Sequence, residues 1–227
     1  QVGPIGRDVE DVATMLDCIS GHDPRDSTSN PQPLPDLRAY LGQDVRGMKI
    51  GVPREYFVAG MEPGVKARID EALRLFEDLG CEVDTDLSLP STEHALAVYY
   101  ILAPSEASAN LARYDGVKYG FSDRSGQTMW ENMEQTRAGG FGNEVKRRIM
   151  LGTYGAGYYD AYYLKAQKVR TVINREFQAA FEKYDIIVTP TSPTVAFPIG
   201  AKIDDPYAMY LNDVYTLPAS VAGLPWL

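Results

Sequence analysis

Between Met48 and Leu87 the chain runs MKIGVP, then an apolar stripe of Val65, Ile69, Leu73, Phe76 and Leu79 closed by Gly80, then the alternating segment CEVDTDL. The first run is short and apolar like a buried strand, the second keeps the 3.6-residue period of a helix, and the third keeps the two-residue period of a strand. Strand, helix and strand in that order commit the chain to an α/β architecture, with a sheet covered by helices on both faces. A further apolar run, DIIVTP at Asp185 to Pro190, adds a strand behind a long helix. That makes about three strands against the five to six of an average sheet. Either the sheet is small or its other strands lie outside this sequence.

Helical periodicity marks the rest. Val9, Val12, Ala13, Leu16 and Ile19 place an amphipathic helix over Asp8 to Ser20, stopped by Gly21. His22 to Pro35 holds four prolines among small polar residues and reads as an extended surface connection. Long helices are expected over 91–114, 143–153 and 158–183. Gly139, Gly140 and Gly142 are read as a turn before the helix that begins near Asn143. A helix around Pro206 to Tyr215 and a loop, LPASVAGLP, complete the chain.

A net charge of −9 over 227 residues argues against a chain that itself grips a phosphate backbone, because that affinity comes from Lys and Arg. No apolar run approaches the ~20 residues of a membrane span, and no basic-then-apolar leader opens the sequence. Cys18 and Cys81 lack the spacing of a disulfide framework and read as buried free thiols in a reducing, cytoplasmic setting, an organellar matrix being the alternative.

The bland reading prevails at most other candidates. There is no G-x-S-x-G or S-x-x-K nucleophile motif, and His22 and His94 have no partner pattern. Cys18 and His22 fall four apart, but a zinc site completed by Cys81 and His94 loses to the default of a small buried hydrophobe, so no metal site is expected. AGGFG and GTYGAG lack the context of a nucleotide-binding loop, so this chain is expected to bind no cofactor. Tyr158, Tyr159, Tyr162 and Tyr163 form two i,i+4 pairs, read as a packing face rather than a base-stacking platform. Lys165, Lys168 and Arg170 read as a solvated surface.

Three longer stretches are more particular: YYILAPSEASANLARYDGVKYG at Tyr99 to Gly120, KRRIMLGTYGAGYYDAYYLKAQKVRTVINR at Lys146 to Arg175, and MYLND at Met209 to Asp213. With GHDPRDSTS, KIGVPREYF and VTPTSPTVAFPIG, they resemble the amidase-signature family over nearly the whole chain. Within it, SEASANLARYDGVKYG and EVKRRIMLGTY are most similar to the glutamine-hydrolysing subunits of tRNA-dependent amidotransferases.

The resemblance implies that residues 1–227 are the second half of an amidase-signature domain, whose central mixed sheet is built from the whole family chain and covered by helices. It implies that no catalytic residue lies in this chain, since the family's Lys and two Ser occupy a Gly/Ser-rich segment upstream. There a neutral Lys takes a proton through a bridging Ser while the second Ser attacks the carboxamide. The non-Met start and interrupted end are accordingly read as those of a fragment or truncated product.

The implied site is for substrate. A pocket for free glutamine must answer both charges of a zwitterion: an Arg fork suits the α-carboxylate and a carboxylate suits the α-ammonium. By resemblance these are Arg148 and Asp213, with Tyr99 or Tyr100 facing the pocket. The implied partners are the amidotransferase subunits B and C, with Glu-tRNA(Gln) met indirectly through a partner subunit that uses ATP and magnesium. The chain departs from the family pattern in having about two fewer residues between Tyr154 and Tyr158, in Ser220 where Asn is common, and in Trp226 and Leu227 at its end.

Overall fold

The computed structural model describes residues 3–57, 61–201, 209 and 211–227. The chain divides into two compact units, Gln1–Arg46 and Gly47–Leu227. In the first, helix α1 (Val9–Ile19) starts at Asp8, whose side chain accepts from Asp11 N, and packs against a 3-10 turn at Leu37–Tyr40. Arg38 of that turn lies 3.2 Å from Asp17 of α1.

In the second unit, β1 (Lys49–Pro53) is the central strand between β2 (Glu82–Leu87) and β3 (Ile186–Ile187), and both pairings are parallel. Ile50, Gly51, Val52 and Pro53 are buried in succession, so both faces of the central strand are covered, as a parallel strand requires. Helix α2 (Pro63–Asp78) makes the crossover from β1 to β2, and Gly80 supplies the positive φ of 88° that ends it. β3 is shorter than DIIVTP promised. Its ladder adds only Asp185 N to Lys49 O and Val188 N to Gly51 O before Pro190, which has no N–H to donate.

The remaining helices are α3 (Ala95–Leu111), α4 (Met129–Gly140), α5 (Asn143–Gly157), α6 (Leu164–Phe181) and α7 (Leu217–Ala222). The core lies between the sheet and α3, α6 and α7, where Leu87, Leu89, Val98, Leu102, Ile173, Phe177 and Val221 are buried together. Arg170 Nε donates to Val221 O and Asn174 Nδ2 to Ala222 O, each at 2.8 Å, so α6 side chains satisfy the orphan carbonyls at the end of α7.

Several sequence expectations need correcting. Gly139 and Gly140 are not a turn but the last residues of α4, which sequence reasoning missed; only Phe141 and Gly142 separate it from α5. LPASVAGLP is not a loop: LPASVA is α7, with Pro218 in its first turn and Gly223 at φ 75° as its cap. Cys18 is exposed, while Cys81 is buried. α1 ends at Ile19, so His22 does not share a helix with Cys18. Tyr163 packs on the core, but Tyr158, Tyr159 and Tyr162 are exposed, so the expected packing face is realised by one tyrosine of the four. The helix expected around Pro206 falls largely outside the described residues; Leu211–Asp213 forms a 3-10 turn.

Candidate functional site

The site is built where α3 crosses α5. Sterics set this approach: a Cβ on Gly152 would lie 1.9 Å from the Pro104 carbonyl oxygen, and one on Gly155 would lie 3.2 Å from Ser105 Oγ. At Gly152 only glycine lets the two backbones come so close. Hydroxyls tie the same crossing, with Ser108 Oγ and Thr153 Oγ1 2.9 Å apart and Ser105 Oγ donating to Gly152 O at 3.4 Å.

Arg148 sits one turn before Gly152 on α5, and Tyr99 sits on α3, so the crossing brings them together. The guanidinium is held above its ordinary pKa first by the Glu144 carboxylate, against the desolvation of its partial burial, with the Tyr99 hydroxyl adding to the rise. Tyr99 and Tyr100 meet edge to face at 5.1 Å, and Tyr99 also packs on the core. Of the two tyrosines between which the sequence did not choose, Tyr99 is the one beside Arg148.

Arg148 is anchored within its own helix. Its Nε donates to Glu144 Oε1 at 2.8 Å, while Arg147 donates Nε to Glu144 Oε2 at 2.8 Å and Nη2 to Oε1 at 2.7 Å. Two guanidiniums, Arg147 first, pull the Glu144 carboxyl down to about 2. Sequence reasoning missed both Glu144 and Arg147. Their i,i+3 and i,i+4 spacing in NEVKRR is the signal that would have found them.

Asp213 ends the 3-10 turn before α7, exposed, with its carbonyl accepting from Thr216 N and Thr216 Oγ1. Its carboxylate makes no ion pair among the described residues, so the fold does not join it to Arg148 directly. α7, which follows, packs against α3, the helix that carries Tyr99. Among the described residues no group of three His, Cys, Asp or Glu side chains is placed to hold a metal, and no helix is long and apolar enough to cross a membrane.

Comparison with known proteins agrees along the whole sequence. The glutamyl-tRNA(Gln) amidotransferase A subunit of Chloroflexus aggregans is 59% identical, aligned over 100% of this chain and 46% of its own length. For its counterpart in Moorella thermoacetica the figures are 60%, 100% and 47%. The crystal structure of the Thermotoga maritima A subunit matches with a TM-score of 0.73 at 40% identity, over 98% of this chain and 44% of that one. A bacterial aryl acylamidase of the amidase-signature family matches with a TM-score of 0.62 at 26% identity, over 85% and 36%. The chain thus spans about half the length of the curated relatives it matches. The Amidase family profile covers residues 1–227; with a fold and a sequence that agree from end to end, the chain belongs to the amidase family.

Proposed function

We propose that these residues are the glutamine-recognising part of an amidotransferase A subunit, which releases ammonia from glutamine for conversion of Glu-tRNA(Gln) to Gln-tRNA(Gln). The observation that carries the reading is the 59–60% identity, over the whole chain, to glutamyl-tRNA(Gln) amidotransferase A subunits. In this reading Arg148 takes the α-carboxylate of glutamine beside Tyr99 and Tyr100, and Asp213 takes the α-ammonium. The nucleophilic Ser, its bridging Ser and the Lys base belong to the upstream half of the family domain. Ser attack on the carboxamide carbon expels ammonia, and water then clears the acyl-enzyme to give glutamate.

The ammonia passes to a partner subunit that uses ATP and magnesium, within a complex with subunits B and C in the cytoplasm. The net charge of −9 supports leaving direct tRNA contact to a partner.

The test uses the complete amidotransferase with R148K or D213N in this chain. Lys keeps the charge but loses the fork, and Asn keeps the size but loses the ammonium partner. Losing one side of a buried charge-assisted contact costs ~2 to 5 kcal/mol, so glutamine-dependent kcat/KM should fall about thirty-fold or more in each. Ammonia supplied directly should restore product formation. Near-normal glutamine use by both variants would overturn the assignment.

A further inference from the structure

A guanidinium grips a carboxylate with two bonds either side-on, through Nε and one Nη, or end-on, through both Nη atoms; with Nε of Arg148 engaged, the end-on edge is the one left for a ligand. α5 carries the group that engages Nε. Glu144, in the first helical turn, accepts from Arg148 through Nε alone, at 2.8 Å. The same carboxylate is engaged from two nitrogens of Arg147, through Nε and Nη2. The sharing is unequal: Arg147 takes the fork, Arg148 gives Glu144 only the nitrogen that end-on recognition does not use, and the Tyr99 hydroxyl is the other group that meets the Arg148 guanidinium.

Charge makes the arrangement effective. One carboxylate between two guanidiniums leaves the trio with a net positive charge, so fixing Arg148 does not cancel its attraction for an anion. A lone Glu–Arg pair would be neutral and would compete with the ligand for the same fork. Side-chain entropy points the same way, because an arginine already ordered before binding loses less on capture of the ligand.

We propose that Glu144 is a positioning residue for glutamine: it fixes Arg148 through Nε with the end-on edge open to the substrate α-carboxylate, while Arg147 keeps the trio cationic. This rests on the role given to Arg148 above. The competing role for Glu144 is purely local, an acidic residue in the first turn that favours the positive end of the helix dipole.

Steady-state glutaminase kinetics of the complete amidotransferase carrying E144A, E144Q or R148K, with thermal unfolding of each, separate the two roles. E144A should raise KM for glutamine about tenfold and leave kcat within about twofold, the mark of a loss confined to binding. E144Q keeps a carbonyl oxygen for Arg148 Nε and should recover most of that loss. Ammonia-driven amidation should be unchanged in both. An unmoved KM in E144A beside an impaired R148K overturns the inference and leaves the glutamine reading standing. E144Q as impaired as E144A also overturns it, since charge and not the Nε bond would then be the cause. If R148K uses glutamine normally, the role given to Arg148 falls and this inference with it.

Discussion

A guanidinium that keeps only 35% of its side chain in solvent needs a counter-charge, and for Arg148 that charge is one helical turn away at Glu144. The pairing has a pH signature. The Glu144 carboxyl is drawn from its ordinary 4.5 down to about 2, so it binds protons less readily in the folded chain than in the unfolded one. Its stabilising contribution is therefore present above pH 4.5 and is lost as the pH falls through about 2. The group is solvent-exposed, so the effect is small. Urea unfolding of wild type and E144Q should differ at about pH 6 and converge by about pH 2, whereas a gap that persists at the acid end would mean the pairing is not its source. Resemblance named Arg148, and the Glu144 and Arg147 side chains bonded around it were legible in principle from spacing alone. Tyr99 and Tyr100 could not be told apart in the sequence, because only the angle between α3 and α5 decides which of two neighbours faces the arginine.

At the level of elements, that angle depends on Gly152 and Gly155, which are not equivalent. At Gly152 the obstacle to a methyl group is the backbone of α3, which cannot move without parting the helices; at Gly155 it is a serine side chain, which can rotate. G152A should therefore destabilise by about 1–3 kcal/mol or more, as overpacking does. G155A should be close to neutral, with about 0.5–1 kcal/mol of improved helix propensity offsetting the tighter contact. Chemical denaturation measures both, and equal effects would contradict the account. If α5 shifts away from Tyr99, G152A should also raise KM for glutamine. Sequence reasoning missed α4 for a physical reason: its composition is polar, and Thr136 is its only buried residue, so periodicity has little to register. Its start was nonetheless encoded, since the Thr128 side chain accepts from Glu131 N while Glu131 Oε2 accepts from Thr128 N. α7 is only six residues long, too short for an apolar stripe, and its Pro and Gly read as loop punctuation although they mark the two ends of a helix.

At the scale of the whole molecule, α5 and the turn after it leave Met150, Leu151, Tyr154, Tyr158 and Tyr159 exposed together. Apolar surface of this extent favours association, so the 227 residues produced alone should sediment as oligomers; a monodisperse monomer would contradict that. The same preparation should release no ammonia from glutamine or asparagine, because the nucleophile and its base are assigned to the upstream half of the family domain. Ammonia above a boiled control that survives chromatography of the pure chain would refute this. The strand-helix-strand unit was readable because each of its periods is uninterrupted, whereas β3 was overread because an apolar run shows where a strand can form but not where its partner's ladder ends. Asp213 was named without any way to place it, since its surroundings come from residues remote in the chain. The joint between α5 and α6 bears on the shortening that the family resemblance implies between Tyr154 and Tyr158. Tyr158, at φ −100° and ψ 58°, interrupts the helix, and a π-helical turn at Tyr159–Tyr163 follows. In an unbroken helix each deleted residue would swing everything downstream by about 100°. Here the break works as a mechanical clutch. α6 keeps Ala166, Ile173, Phe177 and Ala180 toward the core, Arg148 keeps its phase on α5, and a change in the length of the joint would leave both helices in place.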